Sequence, residues 1–89
     1  MSLTIRIPAP LRERAGGART LPIDATTLAD LRRGLADRYP DLAAVVLDGE
    51  AFGPAVSVFV DGEDVRFMPE DADLRSARLV ELLPAMSGG

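Results

Sequence analysis

The stretch that most restricts the fold is TTLADLRRGLADRYP, residues 26–40. Leu28, Leu31 and Leu35 recur three and four apart, so they share one face of a helix, with Tyr39 beside it. Thr27 can act as N-cap, with Asp30 three residues on in a capping-box arrangement. Gly34 weakens such a helix by about 1 kcal/mol relative to alanine. Pro40 stops it. A helix with one apolar stripe must bury that stripe against another layer.

Extended segments supply the layer. Leu3-Thr4-Ile5-Arg6-Ile7 alternates apolar and polar and predicts a strand with one buried face, ended by Pro8 and Pro10. LRERAGG, 11–17, reads as a loop, and ARTLPID, 18–24, as a second extended segment with Leu21 and Ile23 inward. DLAAVVL, 41–47, predicts a short turn or helix packed on the sheet, and DGEAFGPA, 48–55, a loop. VSVFV, 56–60, predicts a strand, Asp61-Gly62 a tight hairpin turn, and DVRF, 64–67, the return strand. A polar crossover with one helical turn near Leu74 leads to the last strand, RLVELL, 78–83.

Two hairpin-like pairs flank one helix. That order predicts an α+β fold: a mixed sheet of four to five strands with the main helix across one face, the β-grasp or ubiquitin-like arrangement. The inward set is Leu3, Ile5, Ile7, Leu21, Ile23, Leu28, Leu31, Leu35, Val56, Val58, Val60, Val65, Phe67, Val80 and Leu82. The opposite sheet face then carries Thr4, Arg6, Ser57, Phe59, Arg66, Glu81 and Leu83. Residues 1–83 form the domain, and 84–89 a flexible C-terminal tail ending in Gly-Gly.

Composition removes several chemistries. Eighty-nine residues make one domain, with 47% apolar residues for its core. There is no cysteine and no histidine, which excludes disulfides, thiol nucleophiles, cysteine or histidine zinc sites and imidazole catalysis. All ten basic residues are arginine, so no side chain can accept an isopeptide or form a Schiff base. A net charge of −4, one tyrosine and three phenylalanines argue against a nucleic-acid binder and for steering toward a basic partner. No long apolar run predicts a membrane span. The start lacks a signal-peptide pattern, which predicts a cytoplasmic protein. Glu70, Asp71 and Asp73 read as a solvated loop more readily than as a metal site.

Four stretches, in order, carry a resemblance: LRERAGG, TLADLRRGLADRYPDL, VFVDGEDVRF and LLPAMSGG. Along its whole length the chain resembles the ubiquitin-like sulfur-carrier proteins. That family includes the molybdopterin-synthase small subunit (MoaD), the thiamine-thiazole carrier (ThiS) and the cysteine-biosynthesis carrier (CysO). The hairpin wording and the ending lean toward the CysO-like branch. The family usually has an acidic, Gly-containing turn before its last strand, where this chain reads Arg75-Ser76-Ala77-Arg78.

The resemblance implies a protein co-substrate, not an enzyme. Gly89 would be the site. Its carboxylate would be adenylated by a ubiquitin-activating-type enzyme (MoeB/ThiF-like) that uses ATP and Mg, with no cofactor bound by the carrier itself. A sulfur donor, a sulfurtransferase or sulfide, would then convert it to a thiocarboxylate. An acceptor biosynthetic enzyme would take the sulfur for molybdopterin, thiamine, cysteine or a specialised sulfur metabolite.

Two glycines give a slim strand that takes any φ/ψ in a narrow channel. Gly88 and Ser87 would thread with Gly89, and Pro84 would stiffen the exit. Ordering a loose tail costs about 1–2 kcal/mol per residue, so a docked surface must offset it. Phe59 and Leu83 are the apolar candidates for that surface, and Arg6 and Arg66 the charged ones. Each has a plainer reading: Phe59 and Leu83 as ordinary exposed apolar residues, the arginines as solvated cross-strand partners. Gly-Gly alone also fits a frayed terminus. Two other functions stay open: a modifier conjugated through Gly89, and a plain interaction module of the same fold.

Overall fold

The computed structural model describes residues 2–85. Its main sheet has five strands: β1 (Leu3–Arg6), β2 (Thr20–Ile23), β5 (Val56–Val60), β6 (Glu63–Asp64) and β7 (Leu79–Pro84). They lie in the order β2-β1-β7-β5-β6. Only β1 and β7 are parallel; the other neighbours are antiparallel. Helices α1 (Leu28–Arg38) and α2 (Pro40–Val46) bury Leu28, Leu31, Leu35, Leu42 and Val46 in the same cluster as the inner strand residues. This is the β-grasp arrangement.

Local chemistry sets the helix ends. Thr27 has extended backbone and its hydroxyl accepts the Asp30 N–H at 3.2 Å, which satisfies an otherwise orphan donor. Asp30 in turn accepts from the Thr26 hydroxyl at 2.6 Å. Pro40 ends α1 and serves as the first residue of α2, where its missing N–H costs nothing. Tyr39 donates its hydroxyl to the Pro22 carbonyl at 2.5 Å and ties the α1 end to β2. Gly34 lies against β2: a Cβ there would sit 3.0 Å from Ile23 Cδ1. Its absence lets the helix approach the sheet.

Several segments differ from their sequence reading. LRERAGG is not a loop; Ala9–Ala15 forms a 3-10 helix that buries Leu11 and ends on Gly16 at φ 66°. Residues 48–55 are not all loop; β3 (Leu47–Asp48) pairs with β4 (Ala51–Phe52) in a small hairpin turned by Gly49. The return strand after Asp61-Gly62 stops at Asp64, and Val65–Phe67 forms a 3-10 turn. The Asp64 carboxylate captures the Arg66 N–H at 2.9 Å, so the backbone leaves the ladder. Val65 stays buried, but Phe67 is 81% exposed and is not a core residue.

Leu74 is buried in a hydrogen-bonded turn closed by Ala77 N–H to its carbonyl, not in a helical turn. Leu21 is only partly buried. The last strand also runs further than Leu83. Pro84 is paired, and the Ala85 N–H donates to the Ala55 carbonyl at 2.8 Å. Among the described residues no helix is long and apolar enough to cross a membrane.

Candidate functional site

Strand alternation builds the outer sheet face. Leu3 and Ile5, Val56, Val58 and Val60, and Val80 and Leu82 point to the helices. Their neighbours Arg6, Phe59, Glu81 and Leu83 therefore face the other way. Register aligns them: Arg6 stands beside Glu81, Glu81 opposite Phe59, and Phe59 opposite Asp64. That is one row across four strands. Leu83, opposite Ser57, lies in the next outward row toward the end of β7.

The row is charged at its ends and apolar between. Arg6 Nη1 donates to Glu81 Oε2 at 3.2 Å. Arg66 donates to Asp64 through Nη2 at 2.7 Å and through its backbone N–H. The Arg66 side chain, then its backbone N–H, hold the Asp64 carboxyl below the usual carboxylate range, and Asp64 raises Arg66 in return. Phe59 is half-buried, whereas Leu83 is 53% exposed. The structure thus brings Arg6, Phe59 and Leu83 onto one face, with Arg66 at its edge through Asp64.

Pro84 lies in the sheet rather than in a loose exit. It is opposite Val56, and the Ala85-to-Ala55 bond flanks that pair. This pattern marks a non-hydrogen-bonded pair, so the N–H that proline lacks would have pointed away from β5. Proline thus sits near the end of the ladder without removing a bond from it. Ser87, Gly88 and Gly89 lie outside the described residues.

Phe67 and Glu81 were not singled out as site residues by sequence reasoning. A readable signal for Phe67 was the pattern Asp-x-Arg, which occurs at Asp64-Val65-Arg66 and again at Asp73-Leu74-Arg75. In both, the Asp carboxylate accepts the N–H two residues on and pairs with the Arg guanidinium, and the middle residue is buried. The motif makes a turn, not a strand.

The described residues hold no group of three or more carboxylates placed for a metal ion. A surface groove of about 360 Å³ lies between α1 and the β3–β4 hairpin, lined by Ala29, Arg32, Arg33, Ala36, Leu47, Gly49 and Glu50. Its cations are engaged. Arg32 grips Glu70 with both terminal nitrogens and stacks over Phe52 at 5.9 Å, and Arg33 pairs with Asp30 at 2.7 Å. It carries no nucleophile with a neighbouring base.

The sequence model of the ThiS family matches residues 5–89. This chain belongs to the ThiS family. It is 30% identical over 93 residues to the sulfur carrier protein CysO of Mycobacterium tuberculosis, with all of both chains covered. It is also similar to a chain of the Amycolatopsis orientalis BexX/CysO complex: TM-score 0.81, 27% identity, 98% of this chain and 99% of that one. SAMP1 of Haloferax volcanii, a small archaeal modifier protein, follows with TM-score 0.75 and 26% identity over the whole of both chains.

Proposed function

We propose that the chain is a sulfur carrier whose reactive group is the Gly89 carboxylate. The observation that carries this reading is the end-to-end match to the ThiS family and to CysO. The residues agree with it, because the chain has no cysteine or histidine with which to do covalent chemistry itself. It acts as a co-substrate of other enzymes.

The chemistry takes place at one carbon. A carboxylate oxygen of Gly89 attacks the α-phosphorus of ATP in a MoeB/ThiF-like enzyme, and pyrophosphate leaves with its Mg. Hydrosulfide attacks the acyl carbon; where the donor is a sulfurtransferase persulfide, its outer sulfur attacks instead, and a second thiol then cleaves the acyl disulfide and ends in a disulfide with the donor. AMP departs with the carboxylate oxygen, and a thiocarboxylate remains. The acceptor is a biosynthetic enzyme, of molybdopterin, thiamine, cysteine or specialised sulfur metabolism. A CysO solved together with BexX supports the idea that a carrier of this shape docks on a partner protein. Leu83, Phe59, Arg6 and Arg66 form the docking face, and Ser87, Gly88 and Gly89 thread beyond Pro84.

A second reading, a modifier conjugated through Gly89, draws support from the likeness to SAMP1. Intact mass spectrometry separates the two. After incubation with ATP, magnesium, an adenylating enzyme and sulfide, the carrier gains the mass of an oxygen-to-sulfur exchange, localised to the Gly89 fragment. No gain, beside an active control carrier, overturns the carrier reading. Gly89 isopeptides in lysate would favour the modifier.

A further inference from the structure

The arginines of this acidic chain are not distributed alike. Arg32, Arg33 and Arg75, around the first half of α1 and the 68–78 crossover, each pair with a carboxylate: Glu70, Asp30 and Asp73. Arg78, in the same region, has no ion pair among the described residues, but its backbone N–H is bound to Asp61.

The other end of the sheet differs. β1 and β7 run parallel, so the 3-10 helix that follows β1 lies at the end where β7 leaves the sheet. Three arginines gather around that helix. Arg12 Nε donates to the Ile7 carbonyl at 3.2 Å, and Arg14 Nη1 to the Asp41 carbonyl at 3.3 Å. Arg19 is anchored by its own carbonyl, which accepts the Ile7 N–H at 2.8 Å. None of the three forms an ion pair among the described residues, and the nearby carboxylates of Glu13 and Asp41 form none either.

Backbone carbonyls position the Arg12 and Arg14 guanidiniums without neutralising them. The remaining N–H groups of each present a fork that matches a carboxylate. Holding the side chains in place lowers the entropy lost when a partner is bound. On a chain of net charge −4, three arginines at one end, outnumbering the nearby carboxylates of Glu13 and Asp41, orient an encounter as well as holding it.

We propose that Arg12, Arg14 and Arg19 form a docking surface for an acidic patch on a partner protein, which presents the carrier with its C-terminal end foremost. The contact stands on the charge pattern alone; what the end then does rests on the carrier reading above.

The full chain, labelled with ¹⁵N, is titrated at low salt with a synthetic decapeptide of aspartate and glutamate. Arginine Nε–H signals report each site. The expected result is shifts concentrated at Arg12, Arg14 and Arg19, and at least tenfold weaker binding by an Arg14→Glu/Arg19→Glu variant, with Arg75→Glu unchanged. Arg14→Gln and Arg19→Gln serve if the double reversal disturbs the fold. Shifts centred on Arg33, Arg75 and Arg78, equal losses in the two reversals, or no binding overturn the proposal. Absence of a mass gain at Gly89 overturns the carrier reading and leaves this result standing.

Discussion

Pro84 stands opposite Val56 in the last pair of the β5–β7 ladder, with the Ala85 N–H bonded to Ala55 just beyond it. The sheet therefore holds the chain through Ala85. Under the carrier reading proposed above, the reach from Ala85 to the Gly89 carboxylate is that of four residues, at most about 14 Å at full extension.

Reach sets the first prediction. Deleting Met86 and Ser87 draws the Gly89 carboxylate back by about 7 Å. Thiocarboxylate formation, followed by intact mass, should be lost, while the thermal midpoint stays that of the parent protein. Normal loading of the shortened chain would show that tail length is not the constraint.

Leu83 is a surface residue and should behave as one. Leu83→Asp should change unfolding stability by no more than about 0.5 kcal/mol and weaken binding to an activating enzyme about tenfold, near 1.4 kcal/mol. Phe59→Ala should lower both, because Phe59 is partly buried. Titration calorimetry and urea melts read the two effects apart. Unchanged binding in both variants would remove this face from the docking surface.

Gly34 predicts a sign that helix propensity alone gets wrong. Alanine at a mid-helix glycine gains about 1 kcal/mol of propensity. Here its Cβ would lie 3.0 Å from Ile23 Cδ1 and 3.3 Å from Cγ1, and Ile23 is only 1% exposed. Overpacking costs about 1–3 kcal/mol, so Gly34→Ala should be neutral to about 2 kcal/mol destabilising in urea unfolding. A clear gain in stability would mean that Ile23 can shift.

Acid should weaken the fold in a defined window. Asp30 is lowered from 3.8 to about 2, first by the Thr26 hydroxyl and then by Arg33. Asp73 is lowered to about 2 by the Arg75 side chain and backbone N–H. Asp64 and Glu70 are lowered by Arg66 and Arg32. A depressed carboxyl stabilises fully above its unfolded value and loses that contribution as pH falls through the folded one. Thermal midpoints should be level from neutral pH to about 5 and fall between about pH 4.5 and 2. Asp30→Asn should shrink the fall.

Period-two alternation made β1, β5 and the outer face legible, and with them Arg6, Phe59 and Leu83 as neighbours. Thr27 was legible as a cap because its hydroxyl acts locally. DVRF was misread because it alternates like a strand, while the Asp64 carboxylate offers the Arg66 N–H a closer partner than any neighbouring strand. LRERAGG was misread because its two glycines look like loop punctuation, yet Gly16 is the left-handed end of a helical turn. The gathering of Arg12, Arg14 and Arg19 at the end of β7 was out of reach. It depends on β1 and β7 being parallel, a contact between strands more than seventy residues apart.

That same parallel pairing sends the amino end of β1 and the carboxyl end of β7 out of opposite sides of the sheet. The two ends of this central strand pair are therefore separate surfaces. A fusion or an immobilising tag placed before Leu3 would sit a full strand length from the carboxyl end of β7. Under the carrier reading, a protein bound at the amino end of β1 leaves the carboxyl end of β7 open to a second one.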